Sequence, residues 1–143
     1  MDYLKVLVEE IHSVVVATVD ETGHPHTAVM DMMWEDGKTV YFLTADFKPL
    51  YKRLKEDGRV AVTGMTQGAG TMARKSISLT GQVEWIGKEH LEELLKANPY
   101  MYEIYPTEEG RSHLQVFRFK NSVGNFYDLT QLPPYQARFE IEG

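Results

Sequence analysis

Leu4, Leu7, Val8 and Ile11 recur at i, i+3, i+4 and i+7, an apolar stripe that predicts a helix at the start of the chain. The period then changes. Ser13–Asp20 (SVVVATVD) is dominated by β-branched residues, which suit a pleated sheet. Glu21-Thr22-Gly23-His24 supplies a glycine for the positive φ of a hairpin turn, so Pro25–Met33 reads as the returning strand. Asp36-Gly37 signals a second turn before a third strand, Lys38–Thr44. Strands joined this tightly are antiparallel, and the three predict a meander.

A short helix follows, with Phe47, Leu50, Tyr51 and Leu54 on one face, Asp46 as its cap and Gly58 at its end. Pro49 is tolerated because it falls in the first turn. Arg59–Met65 is a fourth strand, Thr66–Thr71 (TQGAGT) a loop of little bulk, and Ala73–Trp85 a long strand. Ile77, Leu79, Gly81 and Val83 share one of its faces. Lys88–Ala97 reads as a helix burying Leu91, Leu94 and Leu95, with Pro99 just beyond its end. His113–Lys120 and Ser122–Thr130 read as a closing hairpin, followed by an irregular tail through Pro133-Pro134. The expected fold is mainly β with an α component. It is an antiparallel barrel of six to seven strands with short flanking helices, since a barrel leaves no exposed edge. The third strand is apolar on both faces, at Val40 and Phe42 and at Tyr41 and Leu43. Its outer face must therefore meet a helix, a ligand or another subunit.

Composition narrows the function. With 143 residues, 43% of them hydrophobic, and no linker or repeat, one domain spanning 1–143 is expected. A net charge of −6 disfavours nucleic acid, and the absence of cysteine removes disulfides, Cys-based zinc sites and thiol nucleophiles. The longest apolar run, Val14–Ala17, is far short of the roughly 20 residues a membrane helix needs. The acidic start, MDYLKVLVEE, is unlike a signal peptide, so a cytoplasmic location is expected. His24 and His26 share a strand face but have no evident third ligand, so no metal site is expected. Ser76 and Ser78 lack the turn and the base that a nucleophile needs.

The join between the third strand and its helix is the most informative stretch. Lys48, Lys52, Arg53 and Lys55 place four of the chain's fifteen cations within eight positions, at a helix start. Cations there oppose the helix dipole unless an anion is bound, and the free N–H groups of the first turn attract one. The same run also reads as a solvated basic face.

The order of these pieces resembles the pyridoxamine 5′-phosphate oxidase-like, FMN-binding split-barrel family. The likeness is carried by ATVDETGHPHTAVM, KTVYFLTADFKPLYKRLKEDGRVAV, SISLTGQVEWI, LQVFRF and GNFYDL, from about Ser13 to Thr130. The resemblance implies a split β-barrel, FMN as cofactor, and a homodimer with flavin between the subunits. It implies that His26, Thr27, Ala28, Val29 and Met30 run beside the flavin ring, and that Leu43, Thr44 and Ala45 flank the ring or ribityl chain. Lys48 would meet the phosphate, ahead of a helix carrying Tyr51, while Ser76 and Ser78 would add polar contacts and Phe126 would reach the partner's flavin. Hydride chemistry would belong to the flavin, so no dedicated catalytic side chain is expected. The implied activity is electron transfer from reduced nicotinamide to a small-molecule acceptor. A flavin- or haem-holding sensor, with His26 or His24 as axial ligand, and a deazaflavin-dependent reductase are alternatives on the same fold. Two departures stand out. Ser78 occupies a position where members often carry arginine. The tail QLPPYQARFEIEG also lacks the Arg-Leu-x-Pro-like substrate motif, which speaks against pyridoxamine 5′-phosphate oxidation itself.

Overall fold

A computed structural model describes residues 1–143. Asp2 caps a single helical turn, α1 (Tyr3–Lys5), by accepting from the Lys5 N–H. The helix then widens into a π-helical stretch, Val6–Ile11, closed by a bond from His12 N–H to the Leu7 carbonyl. The widened turn buries Val6 together with Leu7 and Ile11, while Leu4 and Val8 of the predicted stripe pack at the core's margin. His12 ends it with φ of 65°, unusual for a residue with a side chain.

The sheet contains β1 (Ser13–Val19), β2 (Pro25–Asp31), β3 (Trp34–Glu35), β4 (Val40–Ala45), β5 (Arg59–Met65), β6 (Lys75–Gly87), β7 (Leu114–Asp128) and β8 (Tyr135–Ile141). All pairings are antiparallel, in the order β2-β1-β5-β6-β7-β4-β3, with β8 added to β7. Seven strands have six residues or more, within the expected six to seven, and β3 is a two-residue addition. The sheet curls into a barrel that does not close. β2 and β4 approach each other without pairing, and the chain crosses this split through Met32 and Met33.

Three local expectations change. The first hairpin forms, from Ser13↔Asp31 to Val19↔Pro25, but the predicted meander stops there. Met32 and Met33 are both buried and lead the chain across the split, so β4 pairs with β7 instead. The expected closing hairpin is one 15-residue strand, β7, which bends at Asn121 (φ 47°) and continues. A residue in the left-handed region re-aims a strand as readily as it reverses one. The expected irregular tail contains β8, in which Ala137, Phe139 and Ile141 alternate inward with exposed Gln136, Arg138 and Glu140. Phe139 lies across Gly124, where a Cβ would fall 2.2 Å from its ring.

Two cores result, on opposite faces of β4. Val40 and Phe42 join Val14, Val16, Val62, Ile77, Leu79, Phe117 and Phe119 inside the barrel. Tyr41, Leu43 and Ala45 join Leu94, Leu95 and Met101, contributed by α3 (Leu91–Ala97) and α4 (Met101–Ile104). The outer face of β4 is therefore covered by helices. α3 begins at Leu91, later than the predicted Lys88, and Leu91 is only half-buried. A last turn, α5 (Glu108–Arg111), is capped by Thr107. No helix is long and apolar enough to cross a membrane.

Burial, and then the hydrogen bond to Asp36, push the Tyr41 hydroxyl up to about 12. A folded-state value above the unfolded one stabilises the fold below pH about 10, and that stability is lost as pH rises towards 12. The melting temperature should accordingly fall through this interval, and Tyr41→Phe should flatten the fall. An unchanged alkaline slope in the variant would show that Tyr41 is not responsible.

Candidate functional site

At the split, β4 ends in Thr44 and Ala45, the chain turns, and α2 (Pro49–Glu56) begins. Thr44 shares the face of Val40 and Phe42, the side on which Leu50 and Leu54 of α2 close the barrel. It is 3% exposed, and its Oγ1 is the one buried side-chain polar atom in the protein with no hydrogen-bond partner. Such groups are normally satisfied, because leaving one unpaired costs about 1–3 kcal/mol. The N-terminus of α2 is open as well. Its cap position is Lys48 and makes no side-chain cap, with Pro49 following at N1. Asp46 is not the cap: Pro49 sets the helix start later, and the Asp46 carboxylate accepts from His113 Nδ1 (2.9 Å) and Gln115 Nε2 (3.5 Å).

The basic run does not present one face. Lys55 lies over the Trp85 ring at 4.4 Å, and Arg53 donates to the buried Thr18 hydroxyl at 2.8 Å. Lys52 lines a small cleft with Asp20, Thr22 and His26. The side chain of exposed Lys48 takes part in no hydrogen bond or ion pair, and stands free at the helix start. Tyr51, half-buried in α2, packs edge-on against Phe117 and Trp85.

β2 is the neighbouring edge strand, paired to β1 on one side alone. Ala28 and Met30 pack against the barrel core, whereas Thr27 and Val29 point outward, Val29 being 72% exposed. His26 Nε2 donates to Asp20 Oδ2 at 2.8 Å. That contact, first, and the Thr22 hydroxyl next hold the Asp20 carboxyl well below its ordinary range.

A groove of about 740 Å³ opens on the outer face of β1, β2, β5 and β6. Val15, Val29, Thr63, Met65 and Ser76 form its floor, and Thr66–Gly68 with Arg74 form its rim. Ser78 lies just beyond and shares a hydrogen bond with Thr63 (3.2 Å). At the opposite margin Ser13 donates to Asp31 Oδ1 (2.7 Å), and Tyr100 donates to Asp31 Oδ2 (2.8 Å). His12 places Nδ1 3.0 Å from the Val8 carbonyl and Nε2 2.9 Å from the Tyr100 oxygen.

The predicted residues therefore divide. Thr44, Lys48 and Tyr51 gather at the end of β4 and the start of α2, with the β2 edge, His26 to Met30, across the split. Val29, Ser76 and Ser78 belong to the outer face. Leu43 and Ala45 are committed to the helix-covered core, so only their backbone is free for a ligand. Phe126 is 1% exposed and packs inside the chain against Tyr3, with ring centroids 5.2 Å apart, so it does not reach across to a partner. The pattern of outward apolar positions, Val15 and Val29, was a usable signal for the groove. The His12–Tyr100–Asp31 network had none, because its members lie as far as 88 residues apart. No three His, Asp or Glu side chains converge as metal ligands, and neither Ser76 nor Ser78 has a histidine partner.

A family model described as pyridoxamine 5′-phosphate oxidase matches residues 2–127. No curated protein matches the chain in sequence. A NimC/NimA family protein from Clostridium acetobutylicum is similar in structure, with a TM-score of 0.74 at 19% identity, over 97% of this chain and 93% of that one. A heme binding protein from Mycobacterium smegmatis gives 0.73 at 14% identity, over 97% of this chain and 57% of the other. A pyridoxamine 5′-phosphate oxidase-related, FMN binding protein from Nostoc punctiforme gives 0.64 at 11% identity, over 90% and 80%. At these identities the structural likeness establishes the fold, which is one that an FMN-binding protein also uses. The family match spans most of the sequence, and the chain belongs to the pyridoxamine 5′-phosphate oxidase family.

Proposed function

We propose that the protein is an FMN-dependent oxidoreductase, passing electrons from reduced nicotinamide to a small-molecule acceptor and acting as a homodimer. The observation that carries this reading is the unpartnered Thr44 hydroxyl beside the uncapped start of α2 and the unpaired Lys48. A phosphate suits that set: it accepts from a hydroxyl, from the free Leu50 N–H of the first turn and from an ammonium. The β2 edge supplies the rest. Its unpaired backbone groups can meet the polar edge of a flat ring, and from His26 to Val29 it spans roughly 10 Å. Bound FMN would supply the hydride and electron chemistry, leaving the chain to hold, orient and shield it. A second copy packed on the β2 edge would cover the exposed Val29 side chain. His26 is a poor axial ligand for haem, because the Asp20 contact already occupies its Nε2.

The absorption spectrum of the purified protein, with identification of the released cofactor, is the direct test. A flavin spectrum and a higher melting temperature with added FMN are expected. A Soret band, a released deazaflavin, or no response to FMN would each reject the reading. Lys48→Ala should weaken FMN binding about tenfold, the size of one charge-assisted hydrogen bond at an exposed site. Light scattering should report twice the chain mass, and a monomer at micromolar concentration would remove the dimer.

A further inference from the structure

We infer that His113 is a positioning residue for the phosphate site: it holds the Asp46 carboxylate away from the start of α2, and so keeps the chain's own negative charge from competing with a bound anion. The β4–β7 ladder places the pair. Thr44 stands opposite Gln115 and Ala45 opposite Leu114. One step further, the Asp46 N–H donates to the His113 carbonyl at 2.8 Å. Strand alternation carried over that step puts Asp46 on the side of Thr44, where Gln115 meets it. A carboxylate therefore lies two residues from the unpartnered Thr44 hydroxyl and two from the free Lys48 ammonium.

An unrestrained carboxylate there is drawn to the helix. The positive end of the dipole, the free Leu50 N–H and the Lys48 ammonium attract any anion, and Asp46 is the acid nearest to them in sequence. Yet it makes none of these contacts. Its Oδ1 accepts from His113 Nδ1 at 2.9 Å, and its Oδ2 accepts from Gln115 Nε2 at 3.5 Å. Both donors are themselves fixed. Phe47 stands edge-on to the His113 ring, with centroids 5.7 Å apart. Gln115 Oε1 accepts from Trp85 Nε1 at 2.9 Å, which turns the amide NH2 toward Asp46. The His113 bond is much the shorter, so it carries most of the restraint.

A carboxylate and a phosphate that seek the same donors repel each other and exclude one another. Restraining the first therefore raises the affinity for the second. That the anion is the phosphate of FMN rests on the function proposed above.

Fluorescence titration with FMN, and with riboflavin as the same ring without the phosphate, separates this role from a bracing one. His113→Ala should weaken FMN binding about tenfold, and His113→Asn, whose amide N–H stands in for Nδ1–H, should recover most of the loss. Asp46→Asn keeps an acceptor for His113 but removes the charge, so FMN should bind about threefold more tightly. Combining Asp46→Asn with His113→Ala should abolish the loss caused by His113→Ala alone. Riboflavin affinity should stay constant throughout. If the pair merely braces the turn, Asp46→Asn weakens FMN binding, the combined variant shows no rescue, and both flavins lose affinity together. Any of these results would overturn the inference. So would unchanged FMN affinity in His113→Ala with an unaltered circular-dichroism spectrum; should that variant unfold, Asp46→Asn and His113→Asn decide alone. In each case FMN still binds the wild type, and the flavin reading stands. A wild-type protein that binds no FMN overturns both.

Discussion

Thr44→Val should raise the stability of the ligand-free protein by about 1–2 kcal/mol and weaken its FMN binding about tenfold. The two side chains have nearly the same shape, and both suit a strand, so packing around β4 is preserved. What changes is one hydroxyl, buried to 3% exposure and without a partner. Removing it relieves the desolvation cost carried by the empty site, and removes a donor from the filled one. The opposite signs make the prediction specific. A merely structural Thr44 would lower stability when replaced and leave FMN affinity alone. Denaturant titration of the ligand-free protein and fluorescence titration with FMN measure the two effects. A fall in stability would mean that Thr44 has a partner in solution. An unchanged affinity would exclude it from the phosphate site.

Phe117→Ala should cost about 3–5 kcal/mol, the range for deleting a fully buried ring. Domains of this kind hold about 5–15 kcal/mol, so the variant should unfold well below the wild-type midpoint. Phe117 is fully buried and sits where three parts of the fold meet. It pairs with Phe42 on β4 and Trp85 on β6, and its ring lies 5.7 Å from Phe42 and 6.1 Å from Tyr51 of α2. Collapse into the space is hindered, since each neighbour is itself held by a strand or helix. The denaturant midpoint should fall with an unchanged slope. A loss below 1 kcal/mol would show that the core closes around the deletion.

The sequence made some of this visible and concealed the rest for identifiable reasons. β1, β2 and β5 follow from β-branched runs between turns, because local propensity and hydrophobic pattern agree there. α2 was legible from Leu50 and Leu54, yet its start was not, because Asp46 and Lys48 compete for the cap and Pro49 decides. β7 was misread because Asn121 has the composition of a turn, while its conformation serves a bend held by partners on both edges. β8 alternates Ala137, Phe139 and Ile141 with polar residues, but Pro133 and Pro134 before it suggested an irregular segment. At the candidate site, Lys48 and Thr44 were accessible from their place in the chain. Phe126 was not, because a strand's sequence does not say which of two faces is inside. The groove and the His12–Tyr100–Asp31 network depend on long-range pairing that no local pattern encodes.

The three-way pairing of β7 also bears on how the protein is made. β4 and β6 both hydrogen-bond to β7, which ends at Asp128, and β8 can only add to β7. During synthesis the first 113 residues can form the β1–β2 and β5–β6 hairpins, but β4 leaves the ribosome without its main partner. Barrel assembly must therefore wait until almost the whole chain has emerged. A nascent chain stalled before β7 exposes the apolar β4 strand to chaperones, and one released there is a substrate for proteolysis.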